Sequence, residues 1–486
     1  MKKNNKKTFF LFRNSVIVGI FLVASAVTAF SIIKLNVLVT KYLLIAMTVL
    51  ALLFLIVSMT VFKTEEGSKK NLFAKIVSLL LSLALLFGTF HVFGMDAFLS
   101  KVTGAKKDSY EMSVIVLKEK SYEKIEDVKD LEFGVNKLMD KENIEETFTY
   151  INKEKSFTPQ AKEYTNYKAL VEDLENGVVE VIVLNEGHRD IVLEYDKNFN
   201  DKTKVIHTVN FEKEVQLADL NTKVKEDTFS MFISGIDTYG PVSSVARSDV
   251  NLIMTVNPVD KQILLTSIPR DYHVPLATSG QLDKLTHSGI YGINESVQTL
   301  ENLLDMDIDY YVRVNFTSVE NIVDAMGGVE VESMYDFNAG GYSYNKGMNH
   351  MDGKMALRFV RERYTLPNGD MDRGRHQQAL MTGIINKALS PSILMNYNSV
   401  LASVSDSLEM SMPESHLKDL VKMQQKDNAS WDIQSYQLQG YGAKSTTTYS
   451  MPGWNLYVME PDRDSVEYGS ELIKQMENHE VIQVNQ

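Results

Sequence analysis

Three apolar runs fall within the first hundred residues, at roughly 14–33, 42–62 and 76–95, with only short charged segments between them. Each is long enough to cross a hydrocarbon core about 30 Å thick. A cleaved signal peptide accounts for one such run but not for three in succession, so the sequence reads as an anchor of three membrane spans. Lysine and arginine near the span ends set the orientation. Nine of them (Lys2, Lys3, Lys6, Lys7, Arg13, Lys63, Lys69, Lys70 and Lys75) lie on one side and five (Lys34, Lys41, Lys101, Lys106 and Lys107) on the other. The excess places the amino terminus in the cytoplasm, and three crossings leave everything after about residue 96 outside.

The charge balance changes at the same boundary. Residues 1–107 carry 14 basic and 3 acidic side chains, whereas the rest of the chain carries 36 and 60, a formal charge of −24. An acidic surface repels nucleic acid, and the short cytoplasmic segments are too small for a DNA-reading fold, so nucleic acid is not an expected partner. The chain has no cysteine, hence neither a disulfide framework nor thiolate chemistry, and the exported part depends on its core.

Hydrophobic patterning divides that exported part in two, giving an α/β chain with an anchor at 1–107, a small accessory α/β domain at 108–224 and a larger α/β/α domain with a central mixed sheet at 225–486. In the smaller domain a strand is expected at 112–117, a helix at 167–175, a turn at Asn176-Gly177 and a strand at 178–184. In the larger, 228–236, 250–256 and 262–268 are rich in β-branched residues, and Asn257-Pro258-Val259-Asp260 makes a turn. Helical spacing returns at 296–304, 318–326, 354–360 and 370–388.

Eight of the eleven arginines lie between Arg247 and Arg375 in a chain that elsewhere uses lysine. A guanidinium is a planar fork that meets phosphate oxygens two at a time, whereas lysine is a mobile point charge. The clustering points to a polyphosphate site. Carboxylates alternate with these forks, in Gly235-Ile236-Asp237, Ala246-Arg247-Ser248-Asp249, Ile268-Pro269-Arg270-Asp271, Arg361-Glu362-Arg363 and Gly369-Asp370-Met371-Asp372-Arg373. Arg247 and Asp249, two apart, share a face of an extended segment, as do Arg361 and Arg363. Asp370, Arg373 and Gln377 align along a helix stripe. A magnesium ion takes one or two protein carboxylates beside phosphate oxygens, and Asp237 and Asp249 are the pair expected to hold it.

Plainer explanations exist for single elements. Paired charges are commonly surface salt bridges, Asp370 stands where a helix cap is needed, and His287 fits a structural hydrogen bond. Asp305-Met306-Asp307-Ile308-Asp309 begins like a calcium loop, but Tyr310 and Phe316 stand where glycine and glutamate belong. Gly440 to Thr446 lacks the spacing of a nucleotide-binding loop.

Taken in order, the motifs resemble the LytR-CpsA-Psr family, in particular its capsule-locus CpsA branch with three amino-terminal spans. Ala246-Arg247-Ser248-Asp249, Ser267-Ile268-Pro269-Arg270-Asp271, Lys284 to His287, Val323 to Val329 and Ala356 through Asp370 to Gln377 carry the resemblance. It implies a membrane-anchored, magnesium-dependent phosphotransferase of Gram-positive bacteria that moves a capsular or other cell-wall glycopolymer from undecaprenyl pyrophosphate to peptidoglycan, with the polyprenyl chain held in an apolar tunnel. Capsule polymerase and export machinery are candidate partners. By motif position Arg247, Arg270, Arg361, Arg363, Arg373 and Gln377 would bind the pyrophosphate. Asp237 and Asp249 would hold magnesium, and Arg270, Asp370 and Arg373 would form the catalytic set, with Asp370 a candidate general base. Many relatives carry arginine where this chain has His376, which removes that position from the expected site. Hydrolysis of the lipid pyrophosphate, and a non-enzymatic role in regulating capsule expression, are the competing functions.

Overall fold

The computed structural model describes residues 12–103, 107–215, 222–236, 242–390, 393 and 408–484. By contact the chain forms two compact units: residues up to Thr103 with the helix Glu414–Asp427, and the remainder.

The first unit contains α1 (Asn14–Leu35), α2 (Thr40–Lys63) and α3 (Lys69–Val102). All three are long and apolar enough to cross a bilayer. The third begins seven residues before the apolar run seen in sequence, because the lysine-rich segment from Lys69 simply continues the helix. Val18, Phe21, Val57 and Val61 pack together. Polar contacts join these helices: Thr28 Oγ1 lies 2.8 Å from Thr89 Oγ1, and the Asn71 amide nitrogen donates to Val61 O at 3.0 Å.

The second unit holds two sheets. The first runs in the order β3-β2-β4-β1-β5, from β1 (Lys107–Leu117), β2 (Glu132–Val135), β3 (Gln160–Glu163), β4 (Val181–Asn185) and β5 (Thr203–Glu214). β2 runs parallel to β3 and β4, and β1 antiparallel to β4 and β5. Parallel pairing requires crossovers, which α4 (Lys137–Lys155) and α5 (Tyr167–Glu175) supply; Asn136 and Asn166 cap them through side-chain bonds to Met139 N and Ala169 N. β4 starts three residues later than the apolar run suggests. Val178 and Val179 still donate to Asp173 O, at 2.8 and 3.2 Å, and so belong to the turn that closes α5. α4 is distorted at Asp140 (φ −143°, ψ 33°), whose buried carboxyl accepts from Asn143 and is pushed by burial up to about 7. After β4 comes the short helix α6 (Arg189–Tyr195), anchored by buried Ile191 and Val192.

The second sheet contains β6 (Phe229–Ile236), β7 (Ser248–Asn257) and β8 (Gln262–Ile268), in the order Leu408–Met410, Tyr310–Val314, β6, β7, β8, Asp432–Gln437. It is mixed: Tyr310–Val314 is parallel to β6 and Asp432–Gln437 to β8, while the other pairs are antiparallel. The expected turn joins β7 to β8, with Asn257 Oδ1 accepting from Val259 N and Asp260 N. Val297, Leu300, Leu472 and Ile473, from helices Ile293–Leu304 and Arg463–Glu477, pack on Phe232, Ile253 and Leu264. On the other face helix Asp370–Ala388 lies close enough to β8 that a Cβ on Gly374 would meet Ser267 Oγ at 3.1 Å and collide with the Gln437 amide. Layers on both faces make this an α/β/α arrangement.

The two sheets share a seam. Tyr167, Leu170 and Leu174 of α5 belong to one apolar cluster with Ile290 and Met451. Main-chain bonds join Ser109 N to Ser243 O (2.9 Å) and Val245 N to Ser109 O (3.1 Å). Arg313, buried in the strand Tyr310–Val314, meets Asp108 at 2.5 Å and Glu409 at 2.6 Å.

Candidate active site

Ligands of open α/β sheets collect outside the carboxyl ends of strands, and the candidate residues gather there. Ser248 pairs with Ile236, which sets Asp249 beside the carboxyl end of β6. Pro269 follows the last residue of β8, cannot donate to a sheet ladder, and its carbonyl accepts from Tyr272 N at 3.1 Å. The resulting turn projects Arg270 toward Asp249. Gly369 (φ +54°) introduces helix Asp370–Ala388, in a conformation that L side chains rarely adopt.

Arg270 Nη1 stands 2.8 Å from Asp249 Oδ2, and Thr286 Oγ1 donates to Asp249 Oδ1 at 2.9 Å, so both oxygens of Asp249 are engaged. Arg270 Nε is 3.8 Å from Asp271 and 4.0 Å from Asp370, and Lys284 reaches Asp271 at 3.1 Å. Asp370 Oδ1 is the second hub: Arg373 Nη2 lies at 2.8 Å and Arg363 Nη1 at 3.9 Å. Arg270 Nε and Asp370 Oδ1 are buried and have no aligned hydrogen-bond partner among the described residues. The Asp370–Arg373 contact is thus close in distance without being aligned as a hydrogen bond. Of these groups Asp249, Arg270, Asp370 and Arg373 line a cleft with Ser267, Gln377 and Gln437, with a volume of about 10 Å³, room for roughly one water.

Protonation follows from this crowding. Burial alone would raise the Asp249 carboxyl, but Arg270, Arg247 and Arg373 together with the Thr286 hydroxyl hold it below the usual carboxylate range. Arg373 is lowered by burial, reinforced by Arg270 and Arg363 against the opposing pull of Asp370 and Asp249. Arg270 moves upward: burial opposes its charge, yet Asp249, Asp271 and Asp370 outweigh it. Among the described residues Arg270, Lys284, Arg363 and Arg373 face Asp249, Asp271 and Asp370, a concentration of cationic donors suited to an anion.

Arg270, Arg363, Arg373, Asp249, Asp370 and Gln377 are therefore brought together. Arg247 points instead to Asp190 and Glu194 on α6, at 3.0 Å each. The Arg361 guanidinium lies over the Phe316 ring at 3.9 Å; like Arg363 it does not line the cleft, but Arg363 does approach Asp370, at 3.9 Å. Asp237 lies outside the described residues. His376 is a core residue: it stacks on Phe359 at 3.9 Å, its Nδ1 is 3.1 Å from Phe359 O, and burial lowers it to about 4. His287 is buried with Nδ1 2.8 Å from Asp283, which in turn accepts from Ser450 N. Thr286, Ser267 and Gln437 join the site without having been singled out. Thr286 sits inside a motif that was, but nothing local marks Gln437, which arrives from a strand paired with β8.

Fold and site together define a class: α/β/α proteins that follow an apolar helical anchor and carry a guanidinium- and carboxylate-lined cleft at the strand ends. The chain belongs to the LytR_cpsA_psr family, whose model matches residues 193–462, more than half its length. It is similar to a polyisoprenyl-teichoic acid–peptidoglycan teichoic acid transferase TagU of Enterococcus faecalis, 36% identical over 242 residues that cover 49% of this chain and 78% of that protein. The Bacillus subtilis TagU is 34% identical over 228 residues, 46% and 72% of the two chains. Similar solved structures include B. subtilis TagV (26% identity, TM-score 0.45, 52% of this chain and 98% of that one) and TagT bound to LIIa-WTA (26%, TM-score 0.43, 54% and 95%). A family model for DNA polymerase processivity factors matches residues 68–184. That stretch starts at the apolar helix α3 and stops within β4, so it corresponds to no complete unit of this fold.

Proposed function

We propose that the chain transfers a glycopolymer from a polyisoprenyl diphosphate carrier to peptidoglycan. The observation that carries this reading is the convergence of Arg270 and Arg373 on one cleft at the strand ends, with Arg363 3.9 Å from the Asp370 carboxylate that lines it. The TagU relatives, named for transfer of a polyisoprenyl-linked polymer to peptidoglycan, support the substrate class. Amino-terminal charge supports the orientation, with the cleft outside the cytoplasm. We take the polymer to be capsular, because three apolar helices and an additional five-stranded sheet precede the larger sheet, as in the capsule branch that the sequence resembles.

Phosphoryl transfer asks a protein chiefly for positioning and for stabilisation of charge on non-bridging oxygens. Arg270, Arg363 and Arg373 hold the diphosphate, and Gln377 adds an amide at the same cleft. The acceptor hydroxyl oxygen forms a bond to the sugar-side phosphorus. The bond from that phosphorus to the bridging oxygen breaks, and polyprenyl phosphate leaves with the electron pair. Asp370 takes the hydroxyl proton. The donor chemistry suits magnesium: the Asp249 carboxylate lines the cleft, and such an ion takes only one or two protein carboxylates beside phosphate oxygens. Asp249, with Asp237 as the second acid, would hold the ion, which when bound neutralises phosphate-oxygen charge.

The test is turnover by the full-length protein, given a polyprenyl-diphosphate glycan and peptidoglycan. Polyprenyl phosphate release should require peptidoglycan, and glycan should become covalently attached to it. Arg270→Ala should lower the rate at least a hundredfold, on the order expected when a transition-state charge donor is lost. Release that proceeds equally without acceptor would make the protein a hydrolase.

A further inference from the structure

We infer that the accessory sheet controls the phosphate site through Arg247: Asp190 and Glu194 hold this guanidinium, and a diphosphate must compete with them for it. The inference rests on the reading above that the cleft takes a diphosphate.

The geometry separates Arg247 from its neighbours in sequence. Asp249, two residues on, is locked to Arg270 at the cleft. Arg247 turns the other way, with Nη1 3.0 Å from Glu194 Oε1 and Nη2 3.0 Å from Asp190 Oδ2. The two acids are four apart on α6, so they share a face and grip both ends of the fork. Paired donors are what a guanidinium offers a phosphate, so carboxylates and phosphate draw on the same N–H groups. Arg247 nevertheless stands only two residues before Asp249, whose carboxylate lines the cleft.

Neither partner floats. α6 is fixed by Ile191 and Val192 in the accessory core. The loop leading to Arg247 is clasped by β1 through Ser109, which bonds Ser243 O and Val245 N. A Cβ on Gly289 would come within 2.5 Å of Ala246 O and 2.8 Å of Ser248 N, so the loop is packed from the other side as well. The side chain is what can move: Arg247, Asp190 and Glu194 are 23%, 50% and 41% exposed. Their local balance of one positive to two negative charges repels an incoming anion. Asp190 and Glu194 are therefore positioning residues that act on the site through Arg247.

Binding of inorganic pyrophosphate to full-length, detergent-solubilised protein, measured by titration calorimetry at low and high salt, tests the inference. The double variant Asp190→Asn with Glu194→Gln should bind about tenfold more tightly than wild type, the combined worth of two half-exposed ion pairs. The gain should shrink at high salt and vanish when Arg247→Ala is added. Each single variant should show about threefold, which serves if the double variant does not fold. In turnover the KM for the lipid donor should fall without a rise in kcat. Unchanged or weaker binding in the amide variants, or a gain that survives Arg247→Ala, overturns the inference while leaving the diphosphate reading intact. Wild type that binds no pyrophosphate, or binding untouched by Arg270→Ala, overturns the diphosphate reading and the inference with it.

Discussion

Replacing Asp249 with asparagine tests the centre of the site. Asp249 and Arg270 are 12% and 19% exposed and 2.8 Å apart. Neutralising one partner of a fully buried pair costs about 3–5 kcal/mol. Here Asp271 at 3.8 Å and Asp370 at 4.0 Å still answer Arg270, and an amide oxygen can keep the Thr286 bond, so about 2 kcal/mol is expected. For a unit of this size that lowers the melting temperature by about 4 °C. The cleft also gains positive charge, so pyrophosphate without metal should bind more tightly, while the added stabilisation that magnesium brings to wild type should disappear. Scanning calorimetry of the full-length protein with and without pyrophosphate, in magnesium and in chelator, reads all three effects. The pH sign follows from the lowered carboxyl: its stabilisation is present above its ordinary value near 3.8 and is lost as pH falls through the lower folded value, so wild type and variant should converge in acid. An unchanged melting temperature without ligand would refute the buried ion pair, and a magnesium effect that persists in the variant would remove Asp249 from the metal site.

Asp140→Asn should stabilise the protein near neutrality. Burial pushes this carboxyl up to about 7, so the stability it contributes is full below its ordinary 3.8 and is lost as pH rises toward 7. The variant should gain on wild type across that interval by on the order of 4 kcal/mol; urea denaturation at both ends checks it, and a constant difference contradicts it. His376→Arg should destabilise by about 3 kcal/mol or more, because it forces a charge into the stack with Phe359 and Phe337. A melting curve reads this directly, and a stable variant with tighter pyrophosphate binding would return position 376 to the site.

Much of the larger sheet is legible because local signals agree with the final environment. Pro367-Asn368-Gly369 announces helix Asp370–Ala388, and the Asn257–Asp260 turn brackets β7 and β8. The strand Tyr310–Val314 is harder to read. It is five residues long and carries Arg313, whose charge argues against burial until Asp108, some two hundred residues earlier, supplies the counter-ion. The acids before it, which resemble the opening of a calcium loop, serve structure: Asp309 accepts from Ser230 N at 2.8 Å and Asp305 pairs with Lys474 at 2.5 Å. The same limit applies at the site. Helical spacing does bring Asp370, Arg373 and Gln377 to one cleft, whereas the spacing that puts Arg247 with Asp249 and Arg361 with Arg363 on common faces does not hold. The partners that divert Arg247 and Arg361, namely Asp190, Glu194 and Phe316, lie elsewhere in the chain. Arginine clustering in sequence therefore overstates the convergence: Arg313 is consumed in the seam between the sheets, and Arg375 pairs with Asp372 at 2.9 Å.

That seam bears on how such a protein can be inherited. Tyr167 and Leu170 lie in one cluster with Ile290 and Met451, and Tyr195 meets Trp454 edge-on at 4.6 Å. A gene cut between the two sheets would leave aromatic faces wet on both fragments and Arg313 without half its counter-charge. Neither sheet is a cassette that recombination can freely shuffle; a lineage that shed the first would have had to rebuild the exposed flank of the second.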